Sequence, residues 1–357
     1  MNRTSPARVV SWSLVLLSAT VSALWAQSYA VIDIGSLPGG NSVARKINLS
    51  GQIVGESGKM YGVQVRAYVG TAGTLSSLGT LPGGNYSAAF DINHRGAVVG
   101  DSNTATVIHA FLWDPTRGMQ DLGTLPGDTG SRAFGINDAD DVVGYSSGPN
   151  GVTAFVWEKN KGMTSLGTLP GGNTSEAFDI NNGKQVVGVS STSSGEMHAF
   201  LWKSNSGMQD LGTLKGNNAS VAHKINNPGN VVGSSSGSNV THAFLWTSSG
   251  GMQDLGTLGG TFSDALDLNN NGEVVGTSTD SHGARAFHWT SSTGMQDLNT
   301  LIPANSNVVL TSAVGINNNG SITAIGAATA DVSNPLDLDD TAHHAGPVHA
   351  FLLTPLH

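Results

Sequence analysis

A unit of about 44 residues recurs seven times along this chain, and this repetition constrains the fold more than any other sequence feature. The tetrapeptide Leu-Gly-Thr-Leu, or a close variant, returns at steps of 44, 44, 44, 45, 44 and 43 residues. Three further markers keep this spacing: an Ile-Asn or Leu-Asn pair, a Val-Val-Gly triplet and an Ala-Phe-Leu-Trp run. Self-similarity at such a period is typical of repeat architectures. The tetrapeptides begin at Ile34, Leu78, Leu122, Leu166, Leu211, Leu255 and Leu298.

Each marker lies in a short apolar segment that predicts a β-strand. In the second unit these segments are 87–93, 97–101, 109–113 and 119–122, separated by residues that favour turns. A four-stranded sheet of this length has two apolar faces, which stacking around an axis would bury. Four strands in roughly 40–50 residues are typical of a propeller blade, whereas the coils of a β-solenoid, the main alternative, are usually shorter. The sequence therefore predicts an all-β fold, a seven-bladed β-propeller of four-stranded antiparallel blades.

The seventh unit lacks a fourth strand of its own. Its predicted strands are 313–317, 321–325 and 349–353, and the missing strand matches residues 29–35 near the N-terminus. We therefore expect the N-terminal strand to pair with the C-terminal blade and to close the ring. The predicted blades span residues 42–81, 86–125, 130–169, 174–214, 219–258, 263–301, and 308–353 together with 28–35.

The first 26 residues predict a signal peptide, followed by a single propeller domain over residues 27–357. Two arginines precede an apolar stretch at residues 9–25, and Ala23 and Ala26 offer two cleavage positions. The alternative is an uncleaved membrane anchor, but five Ser and Thr residues dilute the stretch. Because no second apolar stretch of spanning length follows, we expect an extracellular or periplasmic protein with no membrane insertion after cleavage.

The composition narrows the classes of partner. The net charge is -9 and no basic run is present, so we expect no nucleic-acid binding. The chain contains no cysteine, which excludes disulfides, thiolate metal sites and a cysteine nucleophile.

One run of residues resembles a known repeat. Residues 109–113 read His-Ala-Phe-Leu-Trp and residues 118–125 read Gly-Met-Gln-Asp-Leu-Gly-Thr-Leu, and residues 198–214 and 242–258 repeat the pattern. This resembles the HAF-type repeat family of extracellular bacterial proteins over essentially the whole chain after the signal peptide. The resemblance implies export and a bacterial source, but it brings no activity and no catalytic residues. The His place holds Arg66, Thr153 and Arg285 in units one, three and six.

The residue before the recurrent Ile or Leu is charged in five of the seven units. The first strand of a propeller blade lines the central channel, so we expect these side chains to form one ring. One interpretation is ion pairs between neighbouring blades, at positions 46 and 91, 179 and 224, and 224 and 267. The other is a polar channel that binds a small ligand or ion. The candidate residues are Lys46, Asp91, Asp179, Lys224 and Asp267.

Other recurrent polar residues favour structural roles. The third-strand His should have a hydrogen-bond partner near the strand end, and the Trp two places after the Phe should pack between blades. The fourth-strand Asp should be an acceptor at a rim or turn. The Asn after the recurrent Ile suits the first position of a type I turn, with Gly at the last. The His residues are His109, His198, His242 and His349, and the Asp residues are Asp121, Asp210, Asp254 and Asp297.

The repeat breaks in the loop between the second and third strands of blade 7, at about residues 327–348. Carboxylates together with two His residues could bind a divalent metal, the one cofactor that the sequence suggests. The spacing matches no defined motif, so a solvated acidic loop is the favoured alternative. The candidate ligands are Asp337, Asp339, Asp340, His343 and His344.

These observations favour an exported, non-enzymatic binding module that contacts a protein or a glycan through its loop face or central channel. Near-identical blades favour binding, because catalysis usually needs a few unlike groups that converge on one point. The alternative is an exported hydrolase or lyase acting on glycans, with its site at the channel mouth and the blade 7 loop. We predict no catalytic residues.

Overall fold

The computed structural model describes residues 28–38, 40–58, 65–328 and 349–356. They form seven four-stranded antiparallel sheets, and a short 3₁₀ helix follows the sixth sheet at Leu298–Thr300. The predicted seven-bladed β-propeller is therefore confirmed, and each sheet is one blade. In blades 1 to 6 the four strands follow one another across the sheet in chain order.

The strand bounds agree with the sequence expectation to within two residues at each end in blade 2. Blades 1 to 3 consist of Asn41–Ile47, Ile53–Gly58, Arg66–Thr71 and Thr74–Gly79; Ser87–Ile92, Val98–Asn103, Ile108–Asp114 and Gly118–Asp121; and Gly130–Ile136, Val142–Gly148, Gly151–Glu158 and Gly162–Gly167. Blades 4 to 6 consist of Ser175–Ile180, Val186–Ser191, Met197–Lys203 and Gly207–Asp210; Ala219–Ile225, Val231–Ser236, Thr241–Thr247 and Gly251–Asp254; and Ser263–Leu268, Val274–Asp280, Gly283–Thr290 and Gly294–Asp297.

The N-terminal strand completes blade 7, as the sequence predicts. Ser28–Asp33 pairs antiparallel with His349–Leu356, beyond which lie Ile322–Ala328 and Val308–Ile316. Tyr29 is fully buried, and its backbone N–H donates to the carbonyl of Leu301 at 2.8 Å. The strand at Val308 begins five residues earlier than predicted, because Val308, Val309 and Leu310 also pair with the second strand, beyond the first of two register shifts.

The Val-Val-Gly triplet has a steric origin. The first strand of each blade contains a β-bulge, between Ala89 and Asp91 in blade 2. Opposite it, a Cβ atom on Gly100 would lie 1.9 Å from the carbonyl oxygen of Ala88, so a side chain at that position would collide with the bulged strand. The bulge places one extra residue, Phe90, on the first strand.

Apolar side chains and buried serines join neighbouring blades. Between blades 1 and 2, Phe111 and Ile92 pack against residues that include Val54. The buried Oγ of Ser87 accepts the N–H of Ala67 in blade 1 at 2.9 Å and donates to a carbonyl of the same blade. The same pair of bonds is made by Ser131, Ser175, Ser220 and Ser263.

Candidate functional site: the central channel

The first strands of the seven blades surround a central channel, as the propeller fold requires. Where these strands end, residues from all seven blades line a cavity of about 130 Å³. We call this the asparagine end of the channel, because the recurrent Asn of every blade lies there. The opposite end lies where the first strands begin.

The recurrent Asn stabilises the turn after the first strand, as predicted, and also joins the blades. Oδ1 of Asn226 accepts the N–H of Asn230 at 2.8 Å, while its Nδ2 donates to the carbonyl of Asn269 in the next blade at 3.0 Å. All seven asparagines make this inter-blade bond, at 3.0 to 3.4 Å, and the last returns to blade 1. The sequence pattern did not indicate this closed circle, whose members are Asn48, Asn93, Asn137, Asn181, Asn226, Asn269 and Asn317.

The predicted ring of lysines and aspartates lies next to the asparagine circle and forms ion pairs, but two of the three predicted pairs are wrong. Lys224 lies 3.5 Å from Asp179 on the neighbouring blade, as expected, and it also approaches Asp91 across the channel at 3.7 Å. Lys46 turns away from Asp91 and contacts both oxygens of Asp267, at 2.6 and 2.7 Å.

Glycine explains why Lys46 contacts a blade that is not its neighbour. Blade 7 lies between the two partners, and its ring residue is Gly315, where a Cβ would approach the Cα of Lys46 to 3.2 Å. With no side chain at this position, the long lysine side chain reaches past blade 7 to Asp267. The third predicted pair, between Lys224 and Asp267, is replaced by this contact.

The ring carboxylates also accept backbone N–H groups from the following blade. Asp267 Oδ2 accepts the N–H of Ile316 at 2.7 Å, and Asp179 and Asp91 make the equivalent bonds at 2.9 and 3.1 Å. Burial raises the pKa of Asp179, an effect that Lys224 opposes. Burial alone would lower the pKa of Lys224. The negative charges of Asp179, Asp91 and the more distant Asp267 outweigh this effect and raise that pKa. These partners are consistent with the structural interpretation of the ring, whose ligand-binding role stays a prediction.

The bulged residues of the first strands form an aromatic layer further along the channel. The ring centroids of Phe90 and Phe134 lie 5.1 Å apart, and those of Phe134 and Phe178 lie 5.5 Å apart. Tyr145 contacts Phe134 at 5.8 Å, and the guanidinium of Arg45 lies 5.7 Å from the centroid of Phe90. All three phenylalanines are half-buried, so part of each ring remains accessible.

Towards the opposite end, charged residues of blades 1 to 4 form a group that the sequence pattern did not indicate. Arg45 makes a two-point contact with Glu56, at 2.6 and 3.2 Å. Nη1 of Arg132 lies 3.1 Å from Oδ2 of Asp101, and Arg132 also acts electrostatically on Glu176. We name Arg45, Glu56, Asp101, Arg132 and Glu176 the acid–arginine cluster.

Asp101 is the most unusual member of this cluster. Its side chain is 0% exposed and forms an ion pair with Arg132, and the hydroxyl group of Tyr86 acts on it as a hydrogen-bond donor. Burial raises its pKa to about 6, an effect that the nearby Arg132 opposes. Burial likewise raises the pKa of Glu176, again opposed by Arg132. Two desolvated carboxylates therefore share one guanidinium group.

The third-strand His pairs with the fourth-strand Asp of the same blade, which confirms the predicted hydrogen-bond partner. Nδ1 of His109 lies 2.8 Å from Asp121. In blade 7 the partner of His349 is Asp33 of the N-terminal strand, also at 2.8 Å, so this pair closes the ring. The predicted packing of the tryptophans between blades is also confirmed, as the surroundings of Trp157 show. The other two third-strand histidines pair in the same way, as His198–Asp210 and His242–Asp254.

The predicted signal peptide and metal ligands lie outside the described residues. Among residues 28–38, 40–58, 65–328 and 349–356, no group of three or more His, Asp or Glu side chains is arranged to hold a metal ion. Within the same ranges, no helical segment has the length and hydrophobicity that crossing a bilayer requires. The metal site at Asp337, Asp339, Asp340, His343 and His344 stays a prediction.

Comparison with known proteins identifies the architecture and nothing more specific. No protein-family model and no curated protein sequence matches the chain. Oligogalacturonate lyase in complex with manganese is 10% identical over 93% of this chain and 97% of its own, with a TM-score of 0.53. Puromycin hydrolase is 13% identical over 85% and 52%, with a TM-score of 0.51. TolB from Acinetobacter baumannii is 11% identical over 68% and 61%, with a TM-score of 0.49. The chain thus spans less than two thirds of the latter two proteins, and identities this low indicate a shared fold alone.

Proposed function

We propose that this protein is an exported, non-enzymatic binding module that holds a small ligand at the acid–arginine cluster of its central channel. The observation that carries this proposal is Asp101, a fully buried carboxylate whose pKa is raised by burial to about 6 although Arg132 lies 3.1 Å away. Burial of an incompletely compensated charge costs folding free energy, and groups perturbed in this way concentrate at functional sites.

The repeat itself supports a role for Asp101 beyond the fold. The position after the glycine of the Val-Val-Gly triplet is Asp101 in blade 2, but it is Val189 in blade 4 and Ile325 in blade 7. The fold therefore accepts apolar side chains at the strand position that is equivalent to Asp101 in other blades. The circle of asparagines, by contrast, is complete in all seven blades and joins them to one another. The acid–arginine cluster is confined to four blades, which gives the channel one asymmetric region where unlike groups meet.

A thermal-shift screen on the mature chain tests the proposal. A panel of small polar compounds is compared on the parent, on Asp101→Asn and on Glu176→Gln. A ligand at one hundred times its dissociation constant should stabilise the parent by about 2.7 kcal/mol. This shift should disappear in both variants and persist in Asp121→Asn, which removes a charge at the outer strand of a blade. A shift that survives both cluster variants but is lost on deletion of residues 331–346 would place the site on the blade 7 loop instead.

Export is the second part of the proposal. It is supported by the two arginines, the apolar stretch and the small residues of the first 26 positions, and by the resemblance to the HAF-type repeat family. Expression with the intact N-terminus, followed by cell fractionation and N-terminal sequencing, tests it. Export with cleavage after Ala23 or Ala26 is expected, and retention in the cytoplasm would contradict it.

An enzymatic role in glycan cleavage is the second candidate, and one observation favours it. The raised pKa of Asp101, about 6, would keep part of this carboxyl group protonated near neutral pH, as a general acid requires. Incubation of the mature protein with a glycan panel, read out by mass spectrometry, separates the two roles. Cleavage that Asp101→Asn abolishes would support the enzyme, whereas binding without cleavage would support the binding module.

A further inference from the structure

The junction between blades 7 and 1, where the N-terminal strand closes the ring, contains an open cavity of about 290 Å³. Asp33 and His349 of blade 7 line it together with Ser36 of the connecting loop and Ser42 of the first strand of blade 1. We propose that this closing-junction cavity binds a neutral sugar, whose hydroxyl groups form hydrogen bonds with these four side chains. The site is separate from the acid–arginine cluster, so the inference goes beyond the proposed function.

The first step is a buried hydroxyl group that the fold leaves without a partner. In blades 2 to 6 the serine at this position joins two blades, as Ser131 does by accepting the N–H of Ala110 at 2.9 Å and donating to the carbonyl of Gly123. Ser42 is the equivalent residue of blade 1 and is only 3% exposed, yet its Oγ forms no hydrogen bond among the described residues. Buried hydroxyl groups are normally hydrogen-bonded. Because Ser42 lines the cavity, a molecule held there can supply the missing partner.

The second step is a change in the loop that enters blade 1. Five other units have a threonine at the position of Ser36, and its Oγ1 donates to a carbonyl of the same loop at 2.9 to 3.2 Å. Within the described part of the chain, the side chain of Ser36 forms no such bond, so a second hydroxyl group is available at the cavity. The five threonines are Thr80, Thr124, Thr168, Thr213 and Thr257.

The third step is the His–Asp pair, which is more exposed at this junction than in the other blades. The side chain of His349 is 37% exposed, whereas those of the paired histidines in blades 2, 4 and 5 are 18 to 27% exposed. Because the carboxylate of Asp33 can only accept, Nδ1 of His349 donates to it, and Nε2 of the neutral imidazole is an acceptor. One oxygen of Asp33 accepts this bond and the other accepts the N–H of Gly35 at 2.7 Å, and each can accept a second donor.

These groups together select the class of ligand. No Lys or Arg side chain is among the described residues that line the cavity, so an anion would meet the carboxylate of Asp33 without a compensating cation. Within the described ranges, no third His, Asp or Glu joins the pair to hold a metal ion. Sugar hydroxyls, by contrast, can donate to Asp33 and His349 and accept from the serines. The volume is close to the lower end of the roughly 300–1,000 Å³ that is usual for ligand sites, which suits a single sugar unit.

Saturation-transfer difference NMR on the mature protein tests the inference. The probes are D-glucose, D-galactose, D-mannose and N-acetyl-D-glucosamine, and the control probe is tetrahydropyran-2-methanol, which keeps the ring but lacks the ring hydroxyl groups. At least one sugar should bind saturably and about tenfold more tightly than the control probe. Ser42→Ala should weaken its binding about fivefold and Asp33→Asn about tenfold, because each removes a hydrogen bond to the sugar. Asp121→Asn, the equivalent of Asp33→Asn in blade 2, should leave the affinity unchanged.

Thermal unfolding of two serine variants separates lost binding from lost folding. Ser42→Ala removes no hydrogen bond of the described chain and should keep the Tm of the parent. Ser131→Ala removes two bonds between blades and should lower Tm by about 2–4 °C. An equal fall of Tm in both variants would contradict the unpartnered hydroxyl group on which the site depends.

Three binding results would also overturn the inference. The first is that none of the four sugars binds saturably, and the second is that the control probe binds as tightly as the sugars. The third is a sugar affinity that neither Ser42→Ala nor Asp33→Asn changes. If that affinity is lost in Asp101→Asn instead, the sugar occupies the central channel, so the inference fails while the proposed function stands.

Discussion

Replacement of Asp101 with Asn should stabilise the folded protein, and the gain should grow with pH. The fold buries this carboxylate completely and raises its pKa from 3.8 to about 6. The folded state therefore holds the proton more tightly than the unfolded state. The contribution of Asp101 to the free energy of unfolding is therefore most favourable below about pH 4, and it is lost as the pH rises through 6.

The size of the effect follows from the pKa difference. A shift of about two pH units corresponds to about 3 kcal/mol between the protonated and ionised forms. Asn stays neutral and has nearly the shape of protonated Asp, so Asp101→Asn should gain up to about 3 kcal/mol at pH 8 and close to nothing at pH 4. At about 2 cal/mol/K of unfolding entropy per residue, the gain at pH 8 raises Tm by about 4 °C. Arg132 keeps its hydration in the variant, because its side chain is 36% exposed.

Urea unfolding followed by tryptophan fluorescence at pH 4.5, 6 and 8 provides the measurement. The difference between variant and parent isolates Asp101 from Asp179, whose pKa is also raised by burial. A variant that is less stable than the parent at pH 8 would show that Arg132 overcompensates the burial of the carboxylate. A gain of equal size at all three pH values would show that ionisation is not its cause.

Two further substitutions test the way the ring is held together. Tyr29→Ala should cost about 3–5 kcal/mol in urea unfolding, because the buried ring anchors the closing strand, whereas Ile32→Ala on the same strand, at 45% exposed, should cost less than about 1 kcal/mol. Asn226→Ala should cost about 1–3 kcal/mol through its lost inter-blade bond and turn bond. Asn227→Ala should cost less, because it removes only one exposed inter-blade bond, from the N–H of Asn182 at 3.0 Å; equal losses would contradict a special role for the circle.

The sequence predicts the blades and their closure because each marker corresponds to a steric or hydrogen-bonding requirement of the fold. The glycine of the Val-Val-Gly triplet leaves room for the bulged strand, and a Cβ on Gly100 would lie 1.9 Å from a carbonyl oxygen. The missing fourth strand of the seventh unit likewise predicts its pairing partner, because an unpaired edge in a closed ring needs one strand from elsewhere. A residue that every blade requires recurs at the repeat spacing, and this recurrence can be recognised in the sequence alone.

The partners of the channel charges could not be predicted in the same way. Neighbouring blades were expected to pair, but Lys46 is long enough to pass the glycine of blade 7 and reach Asp267. The sequence likewise predicted the turn role of the recurrent Asn but not its inter-blade bond. Donation of Nδ2 to a carbonyl some 44 residues away depends on how neighbouring blades are placed around the axis.

The acid–arginine cluster was missed because its members occupy strand positions that look like ordinary half-exposed sites. A bulge shifts the alternation of the first strand, so inward and outward positions cannot be assigned by counting from the Ile-Asn pair. A position-by-position comparison of the units would have found a signal, however. The place of Asp101 holds Val189 and Ile325 elsewhere, and the place of Arg132 holds Val221 in blade 5.

In a repeat protein of this kind, comparison of equivalent positions in the seven blades separates residues that the fold requires from residues that it does not require. All seven blades pack against their neighbours in the same way. A residue type that is present in all of them, such as the channel asparagines, is therefore sufficiently explained by the fold. A residue that departs from the repeat at a real energetic cost needs another explanation. Asp101 meets this criterion, because the fold buries a carboxylate and raises its pKa to about 6 at a position that valine and isoleucine fill in other blades. Its ion pair with Arg132, which lies two residues before Phe134 on the same strand, makes this region of the channel the most informative place to search for a ligand.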